Sequence, residues 1–137
     1  MREPRGVLAV HGDDGYPYAI PLDFLFEPET GKIYFHGARE GHKIDALKRD
    51  PKVCFCVYEK GVQKDGDWAY TVRSVVAFGR MRQVTEADRI VEICRKLGLK
   101  YYPSAEEAEE EIRKAVDRVN ILELTIDHMT GKRVHEK

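Results

Sequence analysis

Residues 33–58 read IYFHGAREGHKIDALKRDPKVCFCVY, and the middle of this stretch sets His36, Arg39, His42 and Lys43 among Gly37, Ala38 and Gly41. The flanks alternate like strands and the centre changes to a helical period, so these residues meet at a strand-to-helix corner. A helix start exposes unpaired backbone N–H groups and a partial positive charge. Gly37 and Gly41 let the backbone approach a ligand closely. Lys43 falls in the first turn, where a cation opposes the helix dipole at a cost of about 0.3–1 kcal/mol. His42 adds a second donor. A bound phosphate would reverse that sign and use every donor. Ordinary exposed helix residues account for Lys43 and Arg39 equally well at this level, so other parts of the chain have to decide.

Two further pieces bear on it. In YAIPLDFLF (18–26), Pro21 offers no ladder donor. That marks an edge, a bulge, or a place where something other than a strand lies alongside. A flat heteroaromatic ring could lie there and bond to the remaining backbone groups. Asp23 is either a surface residue on the alternating pattern or a polar contact for that ligand. In YTVRSVVAFG, Arg73 and Ser74 are polar within an apolar strand, and surface exposure suffices for Arg73. Of the histidines elsewhere, His11 precedes a turn, His128 lies near a GKR turn and His135 is near the end. No Ser–His–Asp order, paired-carboxylate motif or Rossmann-type GxGxxG is present. Trp68, the one tryptophan, is expected to pack on the barrel rather than over a ligand.

The elements that must position these residues follow from pattern. GVLAVH (6–11) and 18–26 read as a hairpin around HGDDGYP. EPETGK (27–32) is a second turn, leading into IYFH (33–36). Ile44, Ala46 and Leu47 give a short helix one apolar face, and Pro51 marks its stop. KVCFCVY (52–58) is a strand with Val53, Phe55 and Val57 on one side. EKGVQKDGDWA is a polar loop. Residues 70–85 form a long strand bent near Gly79. Residues 86–98 form an amphipathic helix on Ile90, Ile93, Cys94 and Leu97, ended by Leu97-Gly98. Ser104 and Glu107 predict a capping box opening a helix over 104–118. A last strand lies within 119–134, with Leu122, Leu124 and Ile126 opposite Ile121, Glu123 and Thr125. Six strands at hairpin spacing with two or three helices predict a mainly β, α+β fold: a small antiparallel barrel in one domain, 1–137.

Composition narrows the class. The chain has 137 residues and a formal net charge of -1, with 34% charged residues, which argues against a general nucleic-acid binder. No stretch reads as a signal peptide or membrane span, so a cytoplasmic location is the default expectation. The three cysteines, Cys54, Cys56 and Cys94, form no CxxC pair. Cys54 and Cys56 point to one face of a strand and are expected to be small buried hydrophobes rather than metal ligands.

Taken together, YAIPLDF, the 33–58 stretch, RSVVAFGRM and IDHMTGKRV resemble the FMN-binding split-barrel proteins related to pyridoxamine 5'-phosphate oxidase, in particular the nitroimidazole-resistance (Nim-type) branch. The resemblance spans nearly the whole chain. It implies a six-stranded split barrel that forms a homodimer, with FMN in a cleft between subunits. It implies that Pro21, Leu22 and Asp23 lie along the flavin ring, and that His36, Gly37 and Ala38 approach the ring and ribityl chain. His42 and Lys43 would hold the phosphate, and Arg73, Ser74 and Val75 would lie near the flavin. His36 is the candidate titratable group beside the ring. Asp23 stands where the branch often has Asn, and His42 where Arg is common, so FMN affinity is expected to be modest or pH-dependent. The implied activity is FMN-dependent reduction of a small acceptor such as a nitroaromatic or quinone. The alternative is a non-catalytic protein that binds or senses flavin or a related ligand.

Overall fold

The computed structural model describes residues 4–37, 41–101, 104, 106–107, 109–110 and 119–136. The alternating segments pair into one antiparallel sheet of eight strands. β1 (Arg5–His11) and β2 (Pro17–Asp23) form a hairpin around a 3-10 turn at Asp13–Gly15. β3 (Leu25–Glu27) and β4 (Lys32–Gly37) form a second. β5 (Lys52–Tyr58), β6 (Val62–Gln63), β7 (Tyr70–Gln83) and β8 (Asn120–Glu136) complete the order β2-β1-β5-β7-β8-β4-β3, with β6 on β7. α1 (His42–Arg49) connects β4 to β5, and α2 (Ala87–Tyr101) follows β7.

The two ends of this order, β2 and β3, are separated in the chain by Phe24 alone. The sheet must therefore curl until its edges meet, which makes it a split barrel. This also explains why eight strands replace the six expected. Residues 18–26 break at Phe24 because one half pairs with β1 and the other with β4. The polar loop after β5 contributes the short β6, which pairs with β7 at Val62 and Thr71. Pro21 lies on β2, an edge of the sheet order, as its missing donor predicts.

One cluster fills the barrel: Leu8, Phe24, Phe35, Phe55, Leu122 and Leu124 are buried there with Ile44 and Ala46 of α1. Phe55 meets Phe24 and Phe35 edge-on, with ring centroids 5.2 and 4.9 Å away. A second cluster lies outside the barrel wall. There Ile93 and Leu97 of α2 cover Tyr34 and Ile121. The strict alternation of β4 and β8 thus serves both layers. The bend in β7 falls between Phe78 and Gly79, where the register with β8 shifts. A Cβ at Gly79 would strike the Thr125 carbonyl, so only glycine allows the strands to approach there.

α2 does not stop at Gly98, which is buried on the packed face, but runs on to Tyr101. The reason is the barrel seam. Tyr101 Oη accepts from Phe24 N–H at 3.0 Å and faces the carbonyls of Phe24 and Pro4. Lys100 Nζ donates to the Phe24 carbonyl and sits 3.7 Å from the centroid of its ring. The last turn of α2 therefore satisfies backbone groups that the strand break at Phe24 leaves without a ladder. Cys54, Cys56 and Cys94 are half-buried rather than buried. Trp68 is exposed and does not pack on the barrel, a correction to the expectation. The helix expected over 104–118 falls largely outside the described residues. Its cap does not: Glu107 N–H donates to Ser104 Oγ at 3.2 Å.

Two carboxylates are buried. Glu123 receives Lys32 Nζ at 3.1 Å, Arg82 Nε at 2.9 Å and Tyr34 Oη at 3.0 Å. Glu27 is held by Arg89, by Lys96 Nζ at 2.8 Å and by Thr30 Oγ1 at 2.8 Å. Burial pushes the Glu27 carboxyl up, but the bonds from Lys96, Arg89 and Thr30 outweigh it and bring it down to about 2. A carboxyl depressed on folding adds stability above its unfolded pKa and loses it as pH falls through the folded one. We expect Glu27→Gln to lower stability near pH 7 by about 1.5–3 kcal/mol. The gap to the native chain should shrink between about pH 4.5 and pH 2. Urea titrations across that range measure it, and a gap independent of pH would refute the assignment.

Candidate functional site

The corner after β4 is built by three pieces of chain. Phe35 points into the barrel, so alternation turns Gly37 to the same side and His36 to the opposite, exposed side. Gly41 then opens α1 with φ 134°, a backbone conformation that side-chain-bearing residues rarely adopt. It supplies no side-chain cap, so the first-turn N–H groups have no such partner. Lys43 reaches back over Gly37: a Cβ built on Gly37 would lie 2.8 Å from Lys43 Nζ. Burial lowers the Lys43 pKa from its usual value, and no charged partner offsets it. Among the described residues its ammonium has no ion pair or hydrogen bond.

Directly across the ladder, Gly37 pairs with Asn120, the first residue of β8. Asn120 is 2% exposed, and among the described residues neither its Oδ1 nor its Nδ2 has a hydrogen-bond partner. Sequence reasoning did not single it out. The signal available was a polar residue in phase with the barrel-facing Leu122 and Leu124. The β3–β4 register, continued past Leu25, would set Leu22 and Asp23 opposite Gly37 and His36, and β2 does touch β4. So the β2 segment, the end of β4, the start of α1 and the start of β8 come together.

The other expected residues are placed differently. His42 is exposed, and its Nδ1 lies 3.3 Å from Asp13 Oδ2. Asp13 also receives Arg49 Nη2 at 2.7 Å, which ties α1 to the β1–β2 turn. These residues border a cavity of about 200 Å³ with Tyr16 and Tyr18. Pro21 is exposed, Leu22 packs partly on the core, and Asp23 accepts from Arg5 Nε at 3.0 Å. Arg73 is exposed and held by Glu59, Nε to Oε1 at 3.0 Å and Nη2 to Oε2 at 3.0 Å. Ser74 and Val75 are half-buried on β7, opposite Tyr58 and Val57. Arg73–Val75 pair with Arg133–Gly131 of β8, whereas Gly37 pairs with Asn120, eleven or more residues away along the same strand, roughly 36 Å. Within one chain, Arg73–Val75 are therefore not beside the Gly37–Lys43 corner. Ala38 and Arg39 lie outside the described residues.

A curled antiparallel sheet whose two edge strands meet at Phe24 defines the split-barrel class. The sequence profile of the pyridoxamine 5'-phosphate oxidase family matches residues 2–133, and the chain belongs to that family. Among curated proteins none matches. The fold is similar to that of a candidate 5-nitroimidazole antibiotic resistance protein from Bacteroides thetaiotaomicron, with TM-score 0.78 and 21% identity over 97% of this chain and 78% of that one. It is similar to a FAD-binding protein from Mesorhizobium loti, with TM-score 0.65 and 21% identity over 96% and 87%. A candidate pyridoxamine 5'-phosphate oxidase from Corynebacterium glutamicum gives TM-score 0.61 and 21% identity over 98% and 83%. At these identities the likeness is one of fold. No helix among the described residues is long and apolar enough to cross a membrane.

An unpaired, half-buried ammonium disfavours the folded state in which it sits, and the penalty fades as pH rises and the amine loses its proton. Lys43→Met is thus expected to melt higher than the native chain near pH 7 when both are free of ligand. The difference should narrow toward pH 10. Thermal melts across that range check it; a lower-melting variant would mean that Lys43 supports the fold instead.

Proposed function

We propose that the protein is a flavin-dependent oxidoreductase that holds FMN by its phosphate at the Gly37–Lys43 corner and reduces a small acceptor such as a nitroaromatic or quinone. The observation that carries this reading is the Lys43 ammonium. It is half-buried, unpaired and aimed over a residue with no Cβ, beside an uncapped helix start. An anion bound there would offset the desolvated charge and use the free N–H groups. The family match and the FAD-binding relative favour a flavin over other anions. The likeness to a nitroimidazole-resistance protein favours nitroaromatic acceptors. When bound, FMN would supply two-electron chemistry, taking electrons from a reductant and passing them on.

The chain's own residues would bind and orient. Lys43 meets the phosphate. His42 joins it by leaving Asp13, which lies at 3.3 Å. The edge of β2 at Pro21–Asp23 lies along the ring, and His36 is the titratable group tested first beside it. Arg73–Val75, remote from the corner along β8 within one chain, would serve the site from a second subunit across a shared cleft. Exposed Tyr58, Tyr70, Phe78 and Met129 on β5, β7 and β8 are apolar surface that such a homodimer would cover.

Purified protein should be yellow, with a flavin spectrum. Lys43→Ala should weaken FMN binding by about 1–3 kcal/mol while leaving riboflavin, which lacks the phosphate, nearly unchanged. Unchanged FMN content would remove the phosphate assignment. Reduction by NAD(P)H followed by reoxidation with a nitroimidazole tests turnover, and flavin bound without turnover would leave a binding or sensory role. Unfolding midpoints that rise with protein concentration would support the shared cleft; a monomer that binds FMN tightly would contradict it.

A further inference from the structure

We propose that Asn120 is a ligand-binding residue that reads the hydroxyl-bearing chain next to the anion held by Lys43, a phosphorylated polyol in chemical class. This rests on the flavin reading above, in which that chain is the ribityl group. A buried amide with both polar atoms unpaired is costly, and native chains rarely leave one so. Its position says what would relieve it. Asn120 and Gly37 are direct partners in the β4–β8 ladder, so their side-chain directions share one face. On that face Gly37 offers no Cβ, and Lys43 Nζ lies 2.8 Å from where one would be. Two groups with no partner among the described residues, an amide and an ammonium, are thus each tied to the barrel-facing side of Gly37, one through the ladder and one over its missing Cβ.

Their chemistry differs, which narrows the occupant. The ammonium only donates, so it asks for an anion. The amide both donates through Nδ2 and accepts through Oδ1. A phosphate dianion accepts but does not donate, and would leave Oδ1 unpaired. Hydroxyl groups do both. An anion joined to a short run of hydroxyls therefore satisfies every unpaired atom of the corner, and an anion alone does not.

The test uses the full chain and three flavins: FMN, riboflavin, which keeps the ribityl chain without phosphate, and lumiflavin, which lacks both. Flavin fluorescence reports binding without turnover. Asn120→Leu keeps the side-chain shape and removes both polar atoms. It should weaken FMN and riboflavin alike, by about 10-fold for one lost hydrogen bond, and leave lumiflavin unchanged. Its flavin-free melting temperature should match or exceed that of the native chain, because no unpaired amide remains. Lys43→Met should weaken FMN alone. In the native chain the Asn120 side-chain amide resonances should shift on adding riboflavin; this measurement serves if the Leu variant does not fold. Native flavin affinity in Asn120→Leu, as expected if only water fills the corner, would overturn the role of Asn120 and leave the cofactor reading intact. An equal loss for lumiflavin would do the same. Failure of the native chain to bind any of the three would overturn the cofactor reading itself, and this inference with it.

Discussion

The architecture depends on closing a sheet whose two edges are neighbours in sequence. β2 and β3 are one extended segment interrupted at Phe24, and they pair with opposite ends of the strand order. Curling brings the two edge strands together at Phe24, and the change of partner leaves backbone groups at the break outside any ladder. Phe24 resolves this in two directions. Its ring enters the barrel against Phe55, and its backbone N–H and carbonyl are taken by Tyr101 and Lys100 of α2. The helix on the outer wall is thereby fastened to the seam, and the ends of β2, β4 and α1 are held at one mouth.

The outer wall and the mouth treat buried charge in opposite ways. On the wall, Glu27 and Glu123 are each surrounded by cations and hydroxyls, and their carboxyls stay ionised despite burial. Removing a partner there exposes a buried charge, so the network fixes how α2 lies on the sheet. At the mouth, among the described residues, Lys43 is desolvated with no counter-charge and Asn120 is buried with no partner. Folding has been completed at one place and left incomplete at the other. Binding sites commonly carry such local cost, since a ligand can then supply the missing interactions.

Several basic residues that look available in one dimension are already engaged. His42 and Arg49 share Asp13, and Arg73 is clamped by Glu59 in a two-pronged pair. Glu59 and Arg73 are fourteen positions apart and meet because β5 and β7 are adjacent in the sheet. The anion binding proposed for the mouth would thus depend on position and desolvation more than on the number of basic residues in the stretch. A single lysine in a partly buried corner acts on an anion more strongly than several exposed ones in water.

What the sequence by itself determined was local. Alternation placed β1, β5 and β7, helical spacing placed α1 and the start of α2, and Gly79 marked the bend; each depends on neighbours a few residues away. The corner at 36–43 was legible for the same reason, because glycines and a first-turn lysine oppose local rules. Only the tertiary structure decided which polar residues are paired. Glu123 shares a strand face with Ile121 and Thr125, but its burial comes from Lys32, Tyr34 and Arg82 closing around it, and Gly98 reads as a helix stop until the seam at Phe24 requires another turn. Asn120 is an ordinary residue until the ladder sets it opposite Gly37. Local pattern reports which way a side chain points along its own element, whereas burial and hydrogen-bond partners come from elements distant in the chain, and those fix the cost that a ligand can relieve.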